Sequence, residues 1–381
     1  MGWRDWLASF TPRHDRAALT LSQLLAEDAE DRRTAGEVVN ADSALRLSAV
    51  WGCVRLLCDV VSTLPLHAFR AGSREPLDPP PVLLNRPSAD LEEMPEWLWA
   101  GLASALLRGD TFGLIVARAG ASMRPAQIEL LHPDRIGVKI LADRSTEWRL
   151  DGRRIEYDDL WHLRGYPFPG NPLGLSPIAY AAGSIGLGLA AQKYGGQYFA
   201  DAATPSGILV SDQFLTDEQA GAAHERWMAM RRNRRDIAVL GGGTKFQPIS
   251  IAPEESQFLE TQKFTVAQIC RIFAVPPEMV ASESGASLTY ANVEQRDLSL
   301  LKYAAAPWLT RFERKLTRAM PRGTYVKFNA AGLLRTDTLS RYQAYELGLK
   351  NGFMTVEQIR ELEDWEPIPA GTARPQLAGV A

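Results

Sequence analysis

The sequence predicts an α+β fold on three observations: apolar residues at helical spacing on either side of a central stretch, period-two runs inside that stretch, and a small α/β insertion between two later helices. With 381 residues, 46% of them hydrophobic and 23% charged, the chain can bury a large core, and disorder is excluded as its main state.

Residues before about Asn40 mix charges and alanines with a few aromatics and are expected to form a loosely ordered arm, 1–40. Leu47, Val50, Trp51, Val54, Leu57, Cys58 and Val61 then fall on one helical face, and Pro65 ends that helix. Pro95 opens a second helix through Trp97, Leu98, Leu102 and Leu106 to Gly109. Between Thr111 and Leu163 the period changes to two, in runs separated by turn signals such as Ala119-Gly120, Pro133-Asp134 and Asp151-Gly152, and an antiparallel β region follows from that. Ser176-Pro177 starts a helix dense in Ala and Gly, from Ile178 to about Ala200, whose small residues imply close packing against a neighbour. The insertion is read as a strand Gly207 to Val210, a helix capped by Thr216 and a strand Ile237 to Leu240. Pro253 opens a helix to Phe273, stopped by Ala274-Val275-Pro276-Pro277. Residues 282–292 are Ser-, Gly- and Ala-rich and read as a loop. A long helix from about Val293 to Met320 follows, with Pro307 predicting a kink. A strand Tyr325 to Phe328, a helix Asp337 to Lys350 ended by Asn351-Gly352, and a last helix with capping-box spacing at Thr355 and Gln358 complete the chain.

The charges, 42 Lys plus Arg against 45 Asp plus Glu, sum to −3, so the whole chain lacks the basic footprint of a nucleic-acid binder and any DNA contact must come from local patches. Cys53, Cys58 and Cys270 are too few and wrongly spaced for a disulfide framework or a metal knuckle, which points to a reducing compartment. The N-terminus carries charges where a signal peptide needs an apolar run, and secretion by that route is not expected. The charge-free stretch from Gly165 to Gln192 is broken by four prolines in its first half, and what remains is shorter than the roughly 20 apolar residues of a membrane span.

Enzyme motifs fail in turn. Gly241-Gly242-Gly243-Thr244-Lys245 has Thr before Lys and Phe246-Gln247-Pro248 after it, which suits a hairpin turn and not a phosphate loop. Gly174-Leu175-Ser176-Pro177-Ile178 lacks the second glycine of a nucleophile elbow. His224-Glu225 begins like a zinc-protease helix, but Met228 occupies the second ligand's place, and the five histidines are scattered. No catalytic residue, metal or cofactor is expected. A hydrolase or protease triad assembled only in three dimensions remains the alternative. A peripheral membrane role for Trp3, Trp6 and Phe10 is disfavoured by the shortness of that segment.

Two features stand out. Arg231, Arg232, Arg234 and Arg235, preceded by Arg226-Trp227, form a basic cluster that suits phosphates or an acidic partner, against the plainer reading of a solvated helix end complementing the dipole. The loop 282–292 has Glu283 as its only charge, against the plainer reading of an ordinary connection.

A series of motifs runs in order along the chain: Ala49-Val50-Trp51-Gly52-Cys53-Val54 through Leu64-Pro65-Leu66, Leu83-Leu84-Asn85-Arg86-Pro87, and Leu107-Arg108-Gly109-Asp110-Thr111-Phe112. They continue with His162-Leu163-Arg164, Gly174-Leu175-Ser176-Pro177-Ile178, Phe273-Ala274-Val275-Pro276-Pro277, Tyr290-Ala291-Asn292-Val293-Glu294-Gln295 and Leu334-Arg335-Thr336-Asp337. In that order they resemble the portal proteins of tailed double-stranded-DNA bacteriophages, in the compact subfamily also found in prophages and gene transfer agents. Asp110 stands where the family more often has Asn.

The resemblance implies a dodecameric ring around a channel for double-stranded DNA, sited at a capsid vertex of the virion and assembled in the bacterial host cytoplasm. Its partners would be the terminase large subunit, which supplies the packaging energy, the major capsid protein and a head-tail adaptor, with no membrane. The family's portal fold would map as wing 41–175, stem helix 176–203, clip 204–252, second stem helix 253–275, wing again over 276–354, and a short crown or tail 355–381. Within the second wing part lie the tunnel loop, about 282–292, and the long kinked helix, about 293–320. Ser284, Gly285, Ala286, Ser287, Leu288 and Thr289 would then face DNA, and the arginine cluster would lie in the clip. A loop free of Lys and Arg suits a lining that touches DNA without holding it.

Overall fold

The computed structural model describes residues 19–20, 33–201 (apart from 74, 122, 142 and 144), 208–211, 216, 218–219, 221–222, 225, 244–247, 254–280, 298–330, 338–363 and 365–366. These residues carry helices and antiparallel sheets, the α+β class that the sequence predicts. The chain divides into two units. Unit 1 holds residues up to Leu56 with Gly101–Phe112 and Leu131–Glu283; unit 2 holds Leu57–Ala100, Gly113–Leu130 and residues from Ser284 onward.

Strand β1 (Leu19–Thr20) is followed by a tight hairpin of β2 (Arg33–Thr34) and β3 (Glu37–Val38), turned by Ala35 and Gly36 at positive φ. Asn40 caps helix α1 (Ala41–Leu45): its side chain accepts from the Ser43 N–H at 2.7 Å, and the Ser43 hydroxyl accepts from the Asn40 N–H at 2.9 Å. Residues 33–40, expected in a loose arm, are therefore folded, and Val39 is buried. Strands two residues long leave no alternation for a sequence reading to detect.

Helix α2 (Ser48–Ser62) stops before Pro65 as expected, with Val50, Cys53, Val54, Leu57, Cys58 and Val61 buried and Trp51 at the exposed edge of that face. Strand β4 (Leu66–Arg70) and the short helix α3 (Val82–Asn85) lead to α4 (Met94–Arg108). The strands β5 (Asp110–Ala119), β6 (Arg124–Leu131), β7 (Ile136–Ile140), β8 (Thr146–Leu150), β9 (Arg153–Ile155) and β10 (Leu160–Arg164) occupy the stretch where the period changes to two. Helix α5 (Pro177–Tyr180) passes through Ala181 into α6 (Ala182–Asp201). Strands β11 (Ile208–Ser211) and β12 (Thr244–Gln247) precede α7 (Glu254–Phe273). A π turn (Leu300–Ala305) leads into α8 (Ala306–Ala319), then come β13 (Thr324–Phe328), α9 (Thr338–Lys350) and α10 (Val356–Leu362).

In unit 1 the sheet order is β1-β7-β8-β9, all antiparallel. The register pairs Ile136 with Leu150 and Val138 with Trp148, so period two puts Ile136, Val138 and Trp148 in one cluster with Phe112, Leu160 and Leu173. Asp151 and Gly152 both have positive φ, the type I′ requirement that makes Asp-Gly a hairpin signal. Helix α6 lies against α7 and the β2-β3 hairpin. Its glycines permit the approach: a Cβ on Gly186 would lie 2.8 Å from the Thr34 carbonyl oxygen, and one on Gly188 2.8 Å from both Leu47 Cδ2 and Thr265 Cγ2.

The partner of β11 is β12, pairing Ile208 with Gln247 and Ser211 with Thr244. The expected strand Ile237 to Leu240 lies outside the described residues. Thr216 and Gln219 form the expected cap, with the Thr216 N–H donating to Gln219 Oε1 at 3.1 Å and the Gln219 N–H to Thr216 Oγ1 at 3.4 Å.

In unit 2, β4 and β13 pair antiparallel, and α8 supports their edge: the Val326 N–H donates to Thr317 Oγ1 at 3.0 Å and the Phe328 N–H to Glu313 Oε1 at 3.0 Å. Trp97 is buried, with its ring edge to Phe312 and its indole N–H donating to the Ile128 carbonyl at 2.9 Å. Pro307, expected to kink the long helix, follows directly on the π turn Leu300–Ala305. Proline has no N–H for the regular i−4 bond, and a wider turn ahead of it absorbs the mismatch. The Thr355 and Gln358 capping box forms as expected, at 2.9 and 3.2 Å.

Candidate functional site

Three motifs widely separated in sequence meet at one buried point of unit 1. Helix α4 ends at Arg108, Gly109 turns the chain at φ +87°, and Asp110 begins β5 with its side chain wholly buried. His162, on β10, places Nε2 2.7 Å from Asp110 Oδ1. The Gly174 N–H donates to both carboxylate oxygens at 2.9 Å.

The backbones close around this contact. The Gly165 N–H donates to the Gly109 carbonyl at 2.8 Å, and a Cβ on Gly174 would lie 2.2 Å from the same Gly109 oxygen. Gly174 is therefore required by space, and Gly109 by its positive φ as well as by space. Phe112 stacks on the imidazole at 4.4 Å between ring centroids, and Trp148 meets it edge-on at 5.1 Å.

An acid beside a histidine is the start of a triad, so the nearby hydroxyls decide the chemistry. Ser176 Oγ donates to the Leu107 carbonyl at 2.8 Å and accepts from the Ala179 N–H at 3.2 Å, capping α5. Thr111 Oγ1 donates to the Gly101 carbonyl. Both hydroxyls are committed to backbone, and the pair is walled by aromatic rings. The arrangement fits a structural clamp that fixes the α4-β5 turn, β10 and the 165–175 segment together.

Cys53 and Cys270 face each other across unit 1 with sulfurs 3.9 Å apart, both buried and reduced. The hydrogen bond to Cys270 and burial push the Cys53 thiol well above its ordinary value, and burial does the same for Cys58. Thiols held protonated in this way suit packing and not nucleophilic work. Among the described residues no group of three His, Cys, Asp or Glu could hold a metal ion, and no helix is long and apolar enough to cross a membrane.

The loop residues Ser284, Gly285, Ala286, Ser287, Leu288 and Thr289 and the cluster Arg231, Arg232, Arg234 and Arg235 lie outside the described residues. Thr244 and Lys245, weighed as part of a phosphate loop, open strand β12. The Asp110, His162 and Gly174 clamp is the feature that sequence reasoning missed. Its members stood in three of the recognised motifs, but sequence separations of 52 from Asp110 to His162 and 64 from Asp110 to Gly174 hide their contact.

A family model described as "Phage portal protein" matches residues 48–364. The chain is 32% identical over 361 residues to a probable portal protein of Streptomyces phage phiC31, covering 88% of this chain and 78% of the relative. It is 24% identical over 352 residues to the portal protein of Enterobacteria phage HK97, covering 87% and 82%. A chain in the neck of a native gene transfer agent particle, computed with C12 symmetry, superposes with a TM-score of 0.61 at 21% identity, covering 89% of this chain and 98% of that one.

Proposed function

This chain belongs to the phage portal protein family, and from that membership we propose that it assembles as a ring, a dodecamer, at one capsid vertex and forms the conduit through which double-stranded DNA is packaged and ejected. The observation that carries the reading is the family match from residue 48 to 364, most of the chain's length. The C12 neck of the similar gene transfer agent chain supports twelve copies.

In this reading α6 and α7 are the paired stem helices and the segment between them, with β11 and β12, is the clip. The wing comprises 41–175 and 276–354, and residues 355–381 belong to the crown or C-terminal tail. Residues Ser284 to Thr289 line the channel as the tunnel loop. Terminase large subunit and, later, a head-tail adaptor dock on the clip, and the major capsid protein surrounds the ring. The protein is a virion component, assembled in the bacterial host cytoplasm, and performs no catalysis of its own.

Negative-stain images and mass photometry of the purified chain test this directly. Rings with a central hole are expected, and a stable folded monomer at micromolar concentration overturns the reading. ATP turnover without terminase is expected to be undetectable. Robust turnover lost in Lys245→Ala would restore the phosphate-loop assignment.

The arginine cluster gives a further test. Four guanidiniums in five residues, Arg231, Arg232, Arg234 and Arg235, repel one another, and a helix end needs fewer to complement its dipole. An acidic partner or DNA phosphate would offset that repulsion. Changing all four to Gln is expected to leave ring assembly and melting temperature unaltered and to weaken terminase or adaptor binding about tenfold or more at low salt, with the difference shrinking as salt rises. Equal binding by both proteins across the salt titration would return the cluster to a solvated helix end.

A further inference from the structure

Within unit 1, helix α2 at Gly52 and Cys53 lies against the end of α7. Gly52 permits the approach: a Cβ there would lie 2.9 Å from Val280 Cγ1, on the segment after α7. The next residue, Cys53, donates its S–H to the Cys270 sulfur at 3.9 Å, across a sequence separation of 217. The backbone on the α7 side is fixed as well, since Ala274 turns the chain at φ +55° and the Val275 N–H donates to the Cys270 carbonyl at 2.9 Å. Cys58, further along α2, is also buried but takes no part in this contact.

Either cysteine alone would serve as a small apolar filler, as Cys58 does, but two sulfurs in contact share a reaction that neither offers alone. A disulfide holds its sulfurs about 2.0 Å apart, so the pair must close by roughly 2 Å, within reach of a turn about each Cα–Cβ bond. The two thiols also differ. The hydrogen bond from Cys53 lowers the Cys270 thiol, while the same bond, with burial, raises that of Cys53. Cys270 is therefore the sulfur that ionises first, and Cys53 the one positioned to resolve it.

We propose that Cys53 and Cys270 are a site of oxidative cross-linking, joined by hydrogen peroxide into a disulfide that ties α2 to α7 within one chain. The Cys270 thiolate attacks one peroxide oxygen, the O–O bond breaks, and the departing hydroxide takes up the thiol's proton as water. The Cys53 sulfur then attacks the Cys270 sulfenic acid, the S–O bond breaks, and the Cys53 proton leaves with that oxygen as a second water. The two sulfurs lose the two electrons that the peroxide gains. Both sulfurs are buried, so the oxidant enters through local opening and the reaction is slow beside that of an exposed thiol. A reducing cytoplasm keeps the pair as thiols during assembly, and a particle released from the cell has no such protection. That timing rests on the virion reading above; the cross-link itself rests on the contact alone.

The test treats the full-length wild type with hydrogen peroxide in native buffer overnight, then denatures, alkylates and digests it. A peptide pair joined through Cys53 and Cys270 is expected, from a chain lighter by two hydrogens, with Cys58 alkylated as a thiol. The oxidised protein is expected to melt about 3 °C or more above its dithiothreitol-treated form, because the bond closes a long loop. Cys270→Ala is expected to lose both the linked pair and that shift, and the peptide map of the wild type decides the matter alone if this variant fails to fold. Thiols that stay free in peroxide, or a bond from Cys53 to Cys58 or to another chain, overturn the site. The chain taken from released particles directly into acid and alkylating agent is expected to carry the disulfide. Thiols found free there, with the bond still formed by peroxide in the purified protein, overturn the timing and leave the site standing, whereas particles that lack the chain overturn the virion reading.

Discussion

Asp110→Ala is expected to be among the most destabilising single changes in the chain, on the order of 3 kcal/mol, because it orphans two buried groups at once. The carboxylate is the shared acceptor of the Gly174 N–H and the partner of His162 Nε2. Its side chain is 0% exposed and that of His162 is 4% exposed, so water cannot replace either bond without opening the site. Each unsatisfied buried group costs ~1 to 3 kcal/mol, and the lost side chain leaves a cavity in addition. A urea midpoint within error of wild type would show that the clamp contributes nothing.

Asp110→Asn separates geometry from charge. An amide of the same shape still accepts from the Gly174 N–H, and its NH2 can face the imidazole in the other tautomer. The expected cost is under ~1 kcal/mol. Gly174→Ala should behave like Asp110→Ala for another reason, since its Cβ would sit 2.2 Å from a backbone oxygen that cannot turn aside.

The parts of the fold legible in the sequence are those specified locally. Buried positions of α2 and α4 recur at helical spacing, Asp151-Gly152 has the one turn chemistry its hairpin needs, and Thr355 with Gln358 cap α10 across three residues. The β2-β3 hairpin escaped because its strands are two residues long. The π turn escaped because Pro307 announces that a bond is missing, not how the preceding turn will accommodate it. Trp51 shares the period of the buried face of α2 yet sits at its edge, since period fixes direction and not how far a neighbour reaches. The clamp is a different case. Asp110, His162 and Gly174 are each unremarkable where they stand, and only the fold makes them neighbours. What the sequence did carry toward function was the order of motifs, and that order led to the family.

Deleting Gly285 to Leu288 is expected to separate assembly from DNA movement more sharply than any point change. The segment from Ser282 to Asn292 carries one charge, Glu283, and few large apolar side chains, so removing four residues takes nothing that a core would need. On one side of it Pro277–Met279 forms a turn after α7, and on the other Leu300 and Leu301 are buried in the next helical run. If the loop lines the channel, its shortening changes the one surface that must touch moving DNA without gripping it. An uncharged lining makes no counterion-releasing contact, so its role is steric and is set by length, not by salt. Rings of normal size are therefore expected from the deletion variant, together with a loss of at least about tenfold in nuclease-protected DNA in a packaging assay with terminase. That loss should persist at raised salt, unlike the effect of the arginine changes, which screening erases within a Debye length of ~10 Å at 0.1 M. Failure of the variant to fold would make the loop structural, and full packaging would remove it from the DNA path.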